Sequence, residues 1–233
     1  MSIANLLPLG LCCCTLAGLT RSARADDVNA PVWRGQTGAT FQEWELAANS
    51  ATPAPDLVSN PFGNPTLTID HDPPVGTGWY DTLPAVYGAQ QGFWDIGTGS
   101  MTVAVPNSPD AGLYELIQIQ VTYWRDFSAA PAISFSPIGT QVGSTTTTLL
   151  QDPPGPGAWY SDLSLWQVTP SPNELLIALT GLANRGAIID ELVIDTTFAP
   201  VPEPSVASLI ALGFWVMARR GCLFRPRRPQ TGF

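Results

Sequence analysis

The chain has no lysine; its ten basic residues are all arginine. Seven of them lie near the two ends, at Arg21, Arg24, Arg219, Arg220, Arg225, Arg227 and Arg228. From Asp26 to Pro200, only Arg34, Arg125 and Arg185 stand against eighteen Asp and Glu, a formal charge of −15. A region this acidic repels polyanions, so nucleic acid and anionic membrane surfaces are not its partners. It also lacks cysteine, whose four copies are Cys12, Cys13, Cys14 and Cys222. Disulfides, cysteine-based metal sites and thiol catalysis are therefore excluded there. Histidine occurs once, as His71. That excludes a zinc site built on several histidines, and nothing else in the sequence supports a triad around His71. No stretch of the middle region has a helical apolar period, a phosphate-binding glycine loop or a heptad seam.

What is present suits strands. Charged residues make up 12% of the chain and hydrophobic ones 45%, with 21 Gly and 23 Pro. That mixture favours short strands joined by turns over helices. Strand signals fall at Thr40–Trp44, Thr66–Ile69, Met101–Val105, Glu115–Trp124, Ala132–Phe135, Thr145–Leu150, Leu165–Thr169, Leu175–Thr180 and Ile188–Asp195. The clearest is ELIQIQVTYW, where Ile117, Ile119, Val121 and Tyr123 alternate with Gln118, Gln120, Thr122 and Trp124. Nine such strands predict an all-β fold over residues 26–198, an antiparallel two-layer sandwich of jelly-roll type. Two segments, DPPVGTGWYDTL from Asp72 and DPPGPGAWYSDL from Asp152, match at Asp, Pro, Pro, Trp, Tyr and Leu. A duplicated half-sandwich and shared turn composition are both open readings.

The ends carry signals of another kind. Residues 2–20 are largely apolar and run into RSARADD, with Ala23 and Ala25 forming an A-x-A cleavage site. Residues 1–25 are thus expected to be a cleaved export signal, with a buried or retained N-terminal helix as the alternative. Residues 206–218 are apolar or small. As a helix they span roughly 20 Å, short against a bilayer core of about 30 Å. Pro202 and Pro204 block backward extension of that helix, and Glu203 is costly in lipid. The expected order is a linker over 199–205, a short transmembrane helix over 206–218 and a basic cytoplasmic tail over 219–233.

Pro202-Glu203-Pro204, the apolar run and Arg219-Arg220 together resemble the PEP-CTERM sorting signal. The resemblance implies recognition by an exosortase after export through the Sec machinery, with only transient membrane insertion through the tail. It implies delivery to the cell envelope or extracellular matrix of a Gram-negative bacterium. The apolar run is short for that signal, and Gly221–Phe233 extends past the arginine stop. An ordinary C-terminal anchor with a proline-rich stalk is the alternative. The middle region resembles a group of exported, Trp-rich β-sandwich proteins that carry the same signal. The residues concerned are Trp33-Arg34-Gly35, Asn60-Pro61-Phe62-Gly63, Gly78-Trp79, Trp94, Gln120-Val121-Thr122-Tyr123-Trp124, Pro172-Asn173-Glu174 and Val193-Ile194-Asp195-Thr196. That likeness implies a fold and a location but no defined activity.

Aromatics are the leading candidates for function. Trp79-Tyr80 and Trp159-Tyr160 follow Gly-rich polar runs that suggest exposed loops. Trp124 shares a strand face with Gln118 and Gln120, the polar partners a sugar ring needs. These five residues are the expected polysaccharide-binding set, although each Trp alone is more often a core residue. Asp190, Glu191 and Asp195, and separately Asp70-His71-Asp72, are carboxylate clusters. No cofactor is expected, with a structural Ca²⁺ at such oxygens the one option. Solvated or turn-capping carboxylates are the commoner outcome. Asp190 and Asp195 share a strand face only if a bulge intervenes. No spacing identifies the carboxylate pair that glycoside hydrolysis uses. The expected function is that of a non-catalytic surface or matrix protein binding exopolysaccharide. A purely structural matrix protein is second, and a glycan hydrolase third.

Overall fold

The computed structural model describes residues 27–199, apart from 73–75, 83–87, 89–90 and 109–113. Ala23, Ala25, Pro202, Glu203, Pro204, Arg219, Arg220 and both expected terminal helices lie outside the described residues. Thirteen strands and no helix occur among the described residues. They are β1 (Thr40–Trp44), β2 (Leu57–Ser59), β3 (Thr66–Asp70), β4 (Gly78–Thr82), β5 (Gln91–Gly97), β6 (Ser100–Pro106) and β7 (Tyr114–Arg125). Then come β8 (Ala132–Ser136), β9 (Gly139–Gln141), β10 (Thr146–Gln151), β11 (Ala158–Val168), β12 (Glu174–Thr180) and β13 (Ala187–Ala199). The expected all-β fold with two antiparallel sheets is what the chain adopts.

The larger sheet has nine strands, in the order β10-β11-β7-β13-β1-β2 with β9, β5 and β4 on its flanks. The smaller sheet runs β3-β6-β12-β8. Three long strands form the spine of the larger one. β7 pairs with β11 from Glu115 to Arg125 and with β13 from Tyr114 to Trp124. The outer side of β13 is divided, with β5 beside Ala187–Ile189 and β1 beside Leu192–Thr196. A register shift between Ile189 and Glu191 marks the handover. It is a bulge that inserts Asp190 and resets the side-chain alternation.

The core lies between the sheets. Ile117, Ile119 and Val121 of β7 meet Val103 and Val105 of β6 and Leu175, Ile177 and Leu179 of β12 there. Ile189, Leu192 and Ile194 lie on the same side, the bulge having restored Leu192 to the core face. The opposite face of the larger sheet is also covered. Residues 27–38 cross it, with Asn29 O accepting from Gln118 Nε2 at 2.6 Å and Arg34 bonding both oxygens of Asp195 at 2.6 Å. Arg34 also pairs with Asp27 and sits 4.0 Å above the Phe41 ring. The alternation in β7 therefore marks a core face and a covered polar face rather than a wet one.

Two carboxyl groups are enclosed by this packing. Glu115 accepts from Asn107 Nδ2 at 2.8 Å and from the Thr196 hydroxyl. Glu191 accepts from Thr122 Oγ1 at 3.0 Å. Burial pushes each up to about 8, with those hydrogen bonds opposing it and Glu43 and Asp190 adding to the rise at Glu191. Each group keeps a proton in the folded state that the unfolded chain releases near its ordinary value of 4.5. Through these two groups stability should therefore be greatest below about pH 4.5, fall as pH rises, and level off above about 8. Glu191→Gln should flatten that fall and stand above the parent at pH 8. Guanidinium chloride midpoints at pH 5 and pH 8 check this; a parent midpoint no lower at pH 8 contradicts it.

Candidate functional site

The structure separates the five aromatic candidates. Trp79 and Tyr80 lie in β4, and Trp159 and Tyr160 in β11, so neither pair sits in a loop. The Gly- and Pro-rich runs before them are the turns, and the aromatics begin the strands. At Gly157, φ is +85° and an added Cβ would lie 2.8 Å from Trp124, which is why a side chain is absent there. Trp159 is 0% and Trp124 1% exposed, and their rings meet edge to face at 5.3 Å. Phe93 meets Trp159 at 5.7 Å, and Ile188 completes this second apolar cluster. The expectation that Trp124 and Trp159 present open stacking faces is thus corrected. The indoles pack with Phe93 and Ile188 into an apolar cluster on the outer face of the larger sheet, and Trp124 also borders a small cavity there.

The others are half-buried. Trp79 packs against the main core and donates from its indole nitrogen to Leu46 O at 3.0 Å. Tyr80 stacks on Phe93 at 5.5 Å, and its hydroxyl donates to Gly76 O. Tyr160 lies opposite Tyr123 with Arg125 5.6 Å above its ring. Trp79 and Trp159 occupy different clusters on opposite faces of the same sheet. The strands preceding the two DPP segments, β3 and β10, belong to different sheets. This arrangement favours shared turn composition over duplication.

The carboxylate clusters are spread out. Asp195 is held by Arg34, Glu191 by Thr122, and Asp72 accepts from Thr98 Oγ1 at 2.6 Å. Burial raises Asp195 more than its bonds to Arg34 lower it. Among the described residues no group of three or more His, Cys, Asp or Glu is placed to hold a metal ion. The Ca²⁺ option has no ligand group behind it there.

Among the described residues, two concave sites combine rings with polar groups. The first is a cleft of about 210 Å³ where the open end of the smaller sheet meets β9 and β11. It is lined by Trp166, Asp162, Ser164, Gln141, Thr145, Ile133, Val121, Ala130 and Pro131. Trp166 is fixed by its indole hydrogen bond to Ser164 Oγ at 2.8 Å and by Phe135, 4.9 Å away. Asp162 accepts from Thr147 Oγ1 at 2.6 Å and from the Tyr123 hydroxyl. Burial, with the Asp162 charge second, pushes that hydroxyl up to about 12, so it remains a donor. Gln141 Nε2 donates to Thr145 Oγ1 at 2.9 Å and ties the loop to β9. The cleft therefore offers a fixed ring, an oriented carboxylate, an amide and two hydroxyls.

The second is a cavity of about 230 Å³ lined by Tyr80, Phe93, Trp124, Phe127, Ile188, Asp95 and Gly76. It unites two of the expected residues, Tyr80 and Trp124. A wider groove of about 710 Å³ beside β2 and β3 has no aromatic lining, only proline, threonine, asparagine and alkyl groups. Sequence reasoning missed Trp166, Asp162, Gln141 and Phe127 as site residues. Only the count of tryptophans hinted at the first, and no motif joins it to the others. No family model, curated protein or solved structure matches the chain.

Because Trp159 fills a closed space, Trp159→Ala should act on stability. A loss of about 3–5 kcal/mol in guanidinium unfolding is expected. A loss under about 1 kcal/mol would show the indole to be peripheral.

Proposed function

We propose that this is an exported, non-catalytic surface or matrix protein whose sandwich, of jelly-roll type, binds polysaccharide at the Trp166 cleft. The observation that carries the reading is the juxtaposition of a half-buried indole with Asp162, Gln141, Thr145 and Ser164 in one concavity. A sugar ring has an apolar face and a rim of hydroxyls. It calls for a flat ring beneath it and mixed donors and acceptors around it. At about 210 Å³ the cleft falls below the roughly 300–1,000 Å³ usual for whole ligands. That size suits one unit of a longer chain. Asp162 is the only carboxylate among its lining residues, whereas glycoside hydrolysis generally uses two. This supports binding without turnover. The PEP-CTERM-like tail, with Pro202-Glu203-Pro204, supports sorting by an exosortase to the cell envelope or matrix, where exopolysaccharide is the abundant polymer.

One observation favours the structural alternative. β2 is an edge strand, and its Leu57 and Val58 are exposed, a surface suited to protein contacts. Affinity electrophoresis of the protein in gels containing the producing organism's exopolysaccharide separates the two. Retardation is expected, with loss of at least tenfold in apparent affinity for Trp166→Ala and a similar loss for Asp162→Asn. An unretarded parent protein would overturn polysaccharide binding and leave the structural role.

A further inference from the structure

The Tyr80–Phe93–Trp124 cavity differs in chemistry from the Trp166 cleft. Four of its lining side chains are aromatic, one is Ile188, and one is the carboxylate of Asp95. Asp95 Oδ1 accepts from its own turn, from Gly97 N at 2.9 Å. Burial raises its proton affinity, and that one backbone bond lowers it; among the described residues no cation contributes. The chain has no lysine. Each of its three arginines between Asp26 and Pro200 is engaged elsewhere: Arg34 on Asp27 and Asp195, Arg125 over Tyr160, Arg185 on Asp126 O. None lines the cavity. A half-buried carboxylate beside aromatic rings, with no positive partner among the described residues, is a place of negative potential with apolar walls.

The geometry points to this cavity as a binding site for a methylated ammonium group, with Tyr80, Phe93, Trp124 and Phe127 as its walls and Asp95 as its counter-charge. Cations are attracted to the negative faces of aromatic rings, more strongly when water is excluded. Methylation matters because a primary ammonium brings three N–H donors that all need acceptors. Here Gly76 O already accepts from the Tyr80 hydroxyl, and apart from Asp95 the lining is mainly ring and alkyl carbon. A trimethylammonium group brings charge without donors. Phe127 is 59% exposed at the turn after β7, so it borders the cavity on its solvent side.

Titration calorimetry on the full-length protein tests this with choline chloride, methylammonium chloride and 3,3-dimethylbutan-1-ol, the uncharged isostere of choline. Choline should bind, with both others at least tenfold weaker. Phe127→Ala and Asp95→Asn should each weaken choline at least tenfold, while Trp166→Ala leaves it unchanged. Phe127 is exposed, so that variant keeps the test sound if Asp95→Asn fails to fold. Co-sedimentation with phosphatidylcholine vesicles adds a second arm. Binding of choline without vesicle binding assigns a free solute, and binding of both assigns a lipid headgroup. No choline binding, equal binding of the neutral isostere, or full affinity in Phe127→Ala would overturn the proposal.

Discussion

Everything else in the molecule is arranged around the pairing of β7 with β11 and β13. Those ladders run almost the full length of three long strands; β9 and β10 attach outside β11, β1 and β5 outside β13, and the smaller sheet packs on their inner face. A sheet buried on both faces must satisfy each face separately. The inner face does so with aliphatic side chains from both sheets. The outer face does so with residues 27–38 at one end and the Phe93–Trp124–Trp159–Ile188 cluster at the other. The bulge at Asp190 lies where β5 gives way to β1, which lets one strand serve two neighbours without turning Leu192 and Ile194 out of the core.

The scarcity of positive charge shapes what is buried. Among the described residues, Arg34 is the arginine that pairs on the acidic outer face, and it is used on Asp27 and Asp195. Arg34 opposes the rise at Glu43 only as a minor charge effect, Glu191 pairs with no arginine among the described residues, and burial raises both. Protonation takes the place of ion pairing for the deepest of these groups, because an unpaired buried carboxylate is far costlier than a neutral one. The same scarcity leaves Asp95 unmatched beside its rings. One compositional fact thus gives the domain both its pH response and a local negative potential.

β7 was legible from its clean alternation, and β1, β3, β6, β8, β10, β12 and β13 from apolar and β-branched runs between turn residues. β4 and β5 were not, since Gly78 and Gly92 sit at their starts and long-range pairing rather than pattern makes them strands. β2 and β9 have three residues each, too short to show a period. Only the end of β11 was foreseen, because the Pro-Gly run before Trp159 masks its beginning. Alternation identified two faces of β7 but not that the polar one is covered; the covering segment 27–38 has no period at all. The Trp166 cleft was illegible for a related reason. Its groups come from β9, the loop to Thr145, β11 and the approach to β8, and only the fold brings them together.

The aromatic residues divide accordingly into those that build the sheet's outer layer and those that border open space. Trp124 and Trp159 belong mainly to the first group, and Trp166 belongs to the second. Polysaccharide recognition at the Trp166 cleft is the central claim, and hydrogen exchange read by mass spectrometry locates it most directly. On adding exopolysaccharide to the protein, exchange should slow in residues 130–145 and 160–168, with β1 and β5 unchanged. Slowing confined to another face, or none anywhere, would contradict the account.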